Sequence, residues 1–150
     1  MPNWCDNSAY FKHNNPEKLQ ELAKAAEEGR LLQYLCPRPD NDDWYSDRLA
    51  NWGTKWDVNP EVVFEEAEGV RVHFQSAWSP PVEAYKYAEE NSGWRIEATY
   101  VEPAMDFIGE YTDGVDSTYS LNDAPEWLMD EYEWVYDWIA ENEEEETDEA

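Results

Sequence analysis

The chain has 150 residues, 36 acidic against 10 basic for a formal net charge of −26, and 41% hydrophobic residues that include nine Trp and ten Tyr. This length fits one domain with its own core, and the density of aromatics excludes a chain that is disordered throughout. No run approaches the roughly twenty apolar residues of a membrane span, and the charge disfavours both anionic bilayers and nucleic acid as direct ligands.

Residues 4–12 mix apolar and polar residues as a strand does, after which Asn15-Pro16 supplies an N-cap and a first-turn proline. Leu19, Leu22, Ala23 and Ala26 then recur at helical spacing and Gly29 stops the run, which predicts a helix over 16–28. Residues 31–36 form a short apolar run that ends at Pro37-Arg38-Pro39; 40–47 read as an exposed loop and 52–58 as extended chain. Residues 61–66 and 70–76 make a hairpin about Glu68-Gly69, with Val70, Val72 and Phe74 alternating against Arg71, His73 and Gln75.

Ser79-Pro80 reads as a cap and helix start, with Val82, Tyr85 and Ala88 following at helical spacing and Asn91 to Gly93 as the stop. Residues 94–101 alternate as a strand, and 105–112 pair with 115–121 across Asp113-Gly114. Asp123 and Glu126, flanking Pro125, mark the start of a last helix. The order predicts an α+β fold, a ferredoxin-like antiparallel sheet with helices on one face, plus a C-terminal hairpin and an amphipathic acidic helix. We divide it as 1–121 for the ferredoxin-like domain, 122–141 for the acidic, aromatic helix packed on it, and 142–150 for a disordered acidic tail.

Charge is partitioned along this order. Residues 96–150 contain nineteen of the 36 acidic residues and no Lys or Arg. A folded, aromatic segment with so much one-signed charge repels itself, and an ordinary surface mixes both signs. On the last helix, Glu126, Asp130, Glu133, Asp137 and Glu141 fall in a stripe about 80° wide, with Trp127, Leu128, Tyr132, Trp134, Val135, Tyr136, Trp138 and Ile139 around the rest. Successive stripe carboxylates rise roughly 4.5 to 6 Å along the axis, near the phosphate spacing of a nucleic-acid strand. A solvated helix face carries acids too; the missing bases are what set this one apart.

Catalytic signatures are absent: there is no phosphate-binding glycine loop and no nucleophile elbow. Cys5, Cys36, His13 and His73 stand at no metal-ligand spacing, and Asp40-Asn41-Asp42-Asp43 lacks the EF-hand glycine and terminal glutamate, so no metal and no cofactor is expected. His73 reads as a solvated sheet-face residue. Trp52, Lys55, Trp56 and Trp78 have two readings, an aromatic pocket with one cation able to stack a nucleotide, or core packing of the rings.

Four segments, Met1-Pro2-Asn3-Trp4-Cys5 with Asn7, Asn51-Trp52-Gly53-Thr54-Lys55-Trp56-Asp57, Phe74-Gln75-Ser76-Ala77-Trp78-Ser79-Pro80-Pro81, and Phe107-Ile108-Gly109-Glu110-Tyr111, together resemble the YubB-type ferredoxin-like family of phage and plasmid proteins. The resemblance covers most of 1–121. It implies a ferredoxin-like fold without an iron–sulfur cluster and a mobile-element origin, and it carries no catalytic residues.

The expected function is a non-enzymatic acidic protein, phage- or plasmid-encoded and cytoplasmic in the host, which binds and inhibits a host nucleic-acid-binding protein of restriction or defence type by nucleic-acid mimicry. Its partner would present a basic surface to the 126/130/133/137/141 stripe; monomer and homodimer both fit. The alternatives are a small ligand- or nucleotide-binding domain using Trp52, Trp56 and Trp78, or a virion accessory protein.

Overall fold

The computed structural model describes residues 3–149, with side chains described as far as Asn142. In chain order its elements are β1 (Trp4–Lys12), α1 (Pro16–Glu27), α2 (Leu31–Leu35), α3 (Trp44–Asn51), β2 (Glu61–Glu65), β3 (Gly69–Ala77), α4 (Val82–Ser92), β4 (Arg95–Glu102), β5 (Phe107–Thr112), β6 (Val115–Tyr119), α5 (Glu126–Asp130) and α6 (Trp134–Glu149). The fold is α+β. Six strands form one antiparallel sheet in the order β2-β3-β1-β4-β5-β6.

Local chemistry explains the elements that the sequence announces. The Asn15 side chain accepts the Glu17 N–H at 3.0 Å, Pro16 occupies the first turn of α1, and Gly29 leaves it at a φ of 73°. The β5–β6 turn places Asp113 and Gly114 both at positive φ, 51° and 78°, as a two-residue hairpin of right-handed twist requires.

One face of the sheet carries the main core. Ala9, Phe11, Val70, Val72, Phe74, Ile96 and Ala98 pack there against Leu22, Leu31, Leu32, Tyr85 and Ala88 of α1, α2 and α4. A second, smaller core lies on the opposite face, where Val101 and Ile108 meet Leu121, Leu128, Met129, Tyr132 and Val135. Helices α1, α2 and α4 thus share one face of the sheet, while α5 and α6, for which the sequence named no face, cover the other, over β4 and β5. Burial along the strands records this. Side chains of β1 alternate strictly between buried and exposed or part-exposed, because only one of its faces is covered, while Tyr100, Val101 and Glu102 at the end of β4 are all buried.

Four boundaries differ from the sequence reading. The apolar run at 31–36 forms α2, and residues 44–47 of the expected loop join α3, where Trp44 and Arg48, one turn apart, stack, with the Arg48 guanidinium 5.2 Å from the Trp44 ring and 4.9 Å from the Trp52 ring. Residues 52–58 turn instead of extending, with Gly53 at a φ of 88°. α4 starts at Val82 without a side-chain cap, since the Ser79 hydroxyl donates to the Gly53 carbonyl. α5 likewise starts behind Pro125, and Asp123 accepts from Ser120 instead of capping it.

The last helix departs most. Residues 131–133 form a turn between α5 and α6, and Tyr132, Val135 and Tyr136 donate to carbonyls three residues back, at Met129, Tyr132 and Glu133. α6 runs past Glu141 to Glu149. The acidic tail expected over 142–150 falls, from residue 143 on, outside the described side chains.

Candidate functional site

Glu126, Asp130, Glu133, Asp137 and Glu141 are all exposed. They do not form a single straight stripe. A three-residue hydrogen-bond spacing turns the chain about 120° per residue where an α-helix turns about 100°, so Asp137 and Glu141 on α6 are rotated away from the line through Glu126 and Asp130, with Glu133 in the turn between them. What fixes the break is Tyr132, buried against the sheet with its hydroxyl 3.0 Å from the Thr99 hydroxyl. Burial pushes that phenol well above its ordinary pKa, so it remains a neutral partner.

The tryptophans do not line the protected side either. Trp127, Trp134 and Tyr136 are exposed, and the buried ridge is Leu128, Met129, Tyr132 and Val135, with Trp138 and Ile139 half-buried. The surface is thus acidic and aromatic together. All five ion pairs among the described residues join Lys12–Glu97, Lys18–Glu21, Arg30–Glu28, Arg38–Asp47 and Lys86–Glu83. None involves a carboxylate beyond residue 97.

The four residues of the tryptophan motif part company. Trp52 is a core residue at 1% exposure, its Nε1 donating to the Cys36 carbonyl at 2.7 Å. Trp56 and Trp78 are exposed, and Lys55 places its ammonium 4.3 Å from the centre of the Trp56 ring. Trp56 packs against Trp4, with ring centroids 6.1 Å apart. Trp78 sits at a positive φ of 69°, held by its N–H to the Asn3 carbonyl at 2.8 Å.

Because α5 and α6 cover only β4 and β5, the same face remains open over β1 and β3. An open cleft of about 770 Å³ lies there. Asp6 and Ser8 of β1 and His73 and Gln75 of β3 form its floor, Glu61 contributes from β2, Glu131, Tyr132 and Trp134 wall it from the α5–α6 side, and Trp4 completes the lining. Asp6 accepts from Gln75 Nε2 at 3.0 Å. Among the described residues no Lys or Arg lines this cleft. Asp57 borders it, but that carboxylate is occupied by backbone N–H groups of Leu32, Gln33 and Val58, and burial raises its pKa against their opposing effect.

Sequence reasoning places His73 on a solvated face, and it is exposed there, yet it misses the cleft. The alternation Trp4, Asp6, Ser8, Tyr10 is the available signal, a polar strand face; that a turn at 131–133 walls it depends on tertiary packing. His13 is structural: its Nδ1 accepts from the Asn15 N–H at 3.0 Å, which puts the ring hydrogen on Nε2 facing the Ser92 carbonyl at 2.8 Å. Both cysteines are buried and free, and burial raises both thiol pKa values. Among the described residues no group of three or more His, Cys, Asp or Glu is placed to hold a metal ion, and no helix is long and apolar enough to cross a membrane.

Set beside family models, curated proteins and solved structures, the chain matches none of them.

Proposed function

We propose that this is a non-enzymatic protein of phage or plasmid origin that binds a host nucleic-acid-handling protein, of restriction or defence type, at its basic groove and blocks it by standing in for nucleic acid. The observation that carries this reading is the exposed carboxylate surface of α5, α6 and the β5–β6 hairpin, which has no basic partner among the described residues. A Lys- and Arg-lined groove gains counterion release and steering from such a surface as it does from phosphate. Exposed Trp127, Trp134 and Tyr136 add the aromatic anchors that protein interfaces favour.

The origin rests on the resemblance of 1–121 to the YubB-type family. The sheet order β2-β3-β1-β4, with helices following β1 and β3, supports its ferredoxin-like core, with β5–β6 added at the β4 edge. The burial of Trp52 counts against a nucleotide pocket built on the tryptophan motif.

The test is affinity capture of nucleic-acid-binding enzymes on the immobilised protein, read against salt and against competing duplex DNA. Basic enzymes should be retained, released by DNA, and lost steeply with rising salt. Salt-insensitive capture, or undiminished capture by a protein with residues 126, 130, 133, 137 and 141 reversed to Lys, overturns the reading.

A further inference from the structure

We infer that the cleft over β1 and β3 seats an extended, arginine- or lysine-bearing segment of the partner protein, with Trp4 and Trp134 contacting the aliphatic stems and Asp6, Glu61 and Glu131 receiving the cationic ends. This rests on the proposed function and adds to the outer acidic surface a second contact beside it.

Three observations converge on that occupant. The cleft is concave and of a size, about 770 Å³, that takes a few side chains. Its rim exposes two indoles, Trp4 at 43% and Trp134 at 44%, on a surface where apolar rings gain from being covered. In the same lining Asp6, Glu61 and Glu131 contribute negative charge, none of them is in an ion pair among the described residues, and among those residues no Lys or Arg lines the site. An indole beside a carboxylate suits a long cationic side chain, whose stem is apolar and whose head is charged. The protein already uses this pairing internally: Lys55 sits over Trp56, which leans on Trp4, and Arg48 lies near both Trp44 and Trp52.

Other occupants fit less well. A nucleic-acid strand would bring phosphates onto carboxylates. A neutral apolar molecule would meet a floor of Asp6, Ser8, His73 and Gln75 and leave those groups desolvated. The open side of the cleft admits a chain that continues past it, and Glu131 and Trp134 join it to the α5–α6 surface, so one partner covers both without a gap.

The deciding experiment is a tryptophan-fluorescence titration with a synthetic octapeptide of alternating arginine and serine, with a glutamate–serine octapeptide as control. Two double variants remove equal charge: Asp6→Asn with Glu131→Gln in the cleft, and Glu126→Gln with Asp137→Gln on the outer surface. All these side chains except part-exposed Asp6 are exposed, and circular dichroism with a melting curve checks each fold. The cleft pair should weaken the arginine peptide at least about tenfold and the outer pair less than about threefold, a difference of roughly 0.7 kcal/mol or more by the affinity relation. Trp4→Ala should weaken it as well. Equal weakening by both pairs, or none by the cleft pair, overturns the inference. If basic enzymes are still captured in that case, the mimicry reading stands without the cleft; a selective cleft with no enzyme captured overturns the mimicry reading alone.

Discussion

Asp57 caps a helix that begins well before it in the chain. Its Oδ1 accepts the Leu32 N–H at 2.8 Å and its Oδ2 the Gln33 N–H at 3.0 Å, at the start of α2, where the residue in the N-cap position, Arg30, makes no side-chain cap. The first N–H groups of a helix have no internal partner, and here they are satisfied across the fold. Asp57→Ala should therefore lower stability by about 2 kcal/mol, the loss of a cap plus stranded donors. Thermal unfolding measures it, and Asp57→Asn, which keeps one acceptor oxygen, should fall between the two.

Gly109 faces Tyr100 across the β4–β5 pair. A Cβ built at Gly109 would lie 2.3 Å from the Tyr100 hydroxyl oxygen, so the ring occupies the space a side chain would need. The same hydroxyl reaches the Asp116 and Thr118 side chains of β6, at 2.5 and 2.6 Å. Gly109→Ala should destabilise by about 1–3 kcal/mol as overpacking. In a Tyr100→Ala background the further loss should be smaller but should not vanish, because the added Cβ would still lie 2.6 Å from the Ser117 carbonyl oxygen; that partial non-additivity in denaturant unfolding is the check.

Tyr132 pins the α5–α6 turn to the sheet. Tyr132→Phe should cost about 1 kcal/mol for the lost Thr99 hydrogen bond. Tyr132→Ala should cost about 3–4 kcal/mol through the cavity left in the second core. If the turn sets the cleft wall, Tyr132→Ala should also weaken arginine-peptide binding in protein that remains folded, whereas Tyr132→Phe should leave it within about threefold.

Two sets of carboxylates should respond to pH in opposite directions. Hydrogen bonding from Arg38 holds Asp47 below its ordinary range, so the folded form resists the proton more than the unfolded form does. The stability Asp47 contributes is present at neutral pH and is lost as pH falls. The melting-temperature gap between the native protein and Asp47→Asn should accordingly narrow as pH drops through about 4. Burial raises Asp57 and Glu102 instead, so what they contribute is greatest in acid and diminishes as pH rises.

Sheet and hairpins were legible because alternation and turn chemistry act locally: β1, the 61–77 hairpin and the Asp113-Gly114 turn need only neighbours. The first helix was legible through Asn15 and Pro16. α2 was not, since its cap is Asp57; α3 was not, since the Arg48 stack joins residues from the helix and the turn after it. The acidic surface was readable as composition, but its shape depends on Tyr132 reaching Thr99, and no periodicity at 126–141 announces a partner thirty-odd residues away. The cleft follows from the same contact.

Among the described residues the sheet ends at β2 on one side and β6 on the other, and both outer strands leave backbone groups without a neighbouring strand. Val63, Phe64 and Val115 are exposed on them, the composition of an edge that recruits another chain. Glu61 and Glu65 on β2 and Asp116 on β6 place charge along those edges, so identical molecules meet like against like. High salt shortens the reach of that repulsion to about 3 Å at 1 M. The acidity that suits this protein to a basic partner thus also keeps its copies apart, and self-association through the sheet edges should emerge as salt is raised.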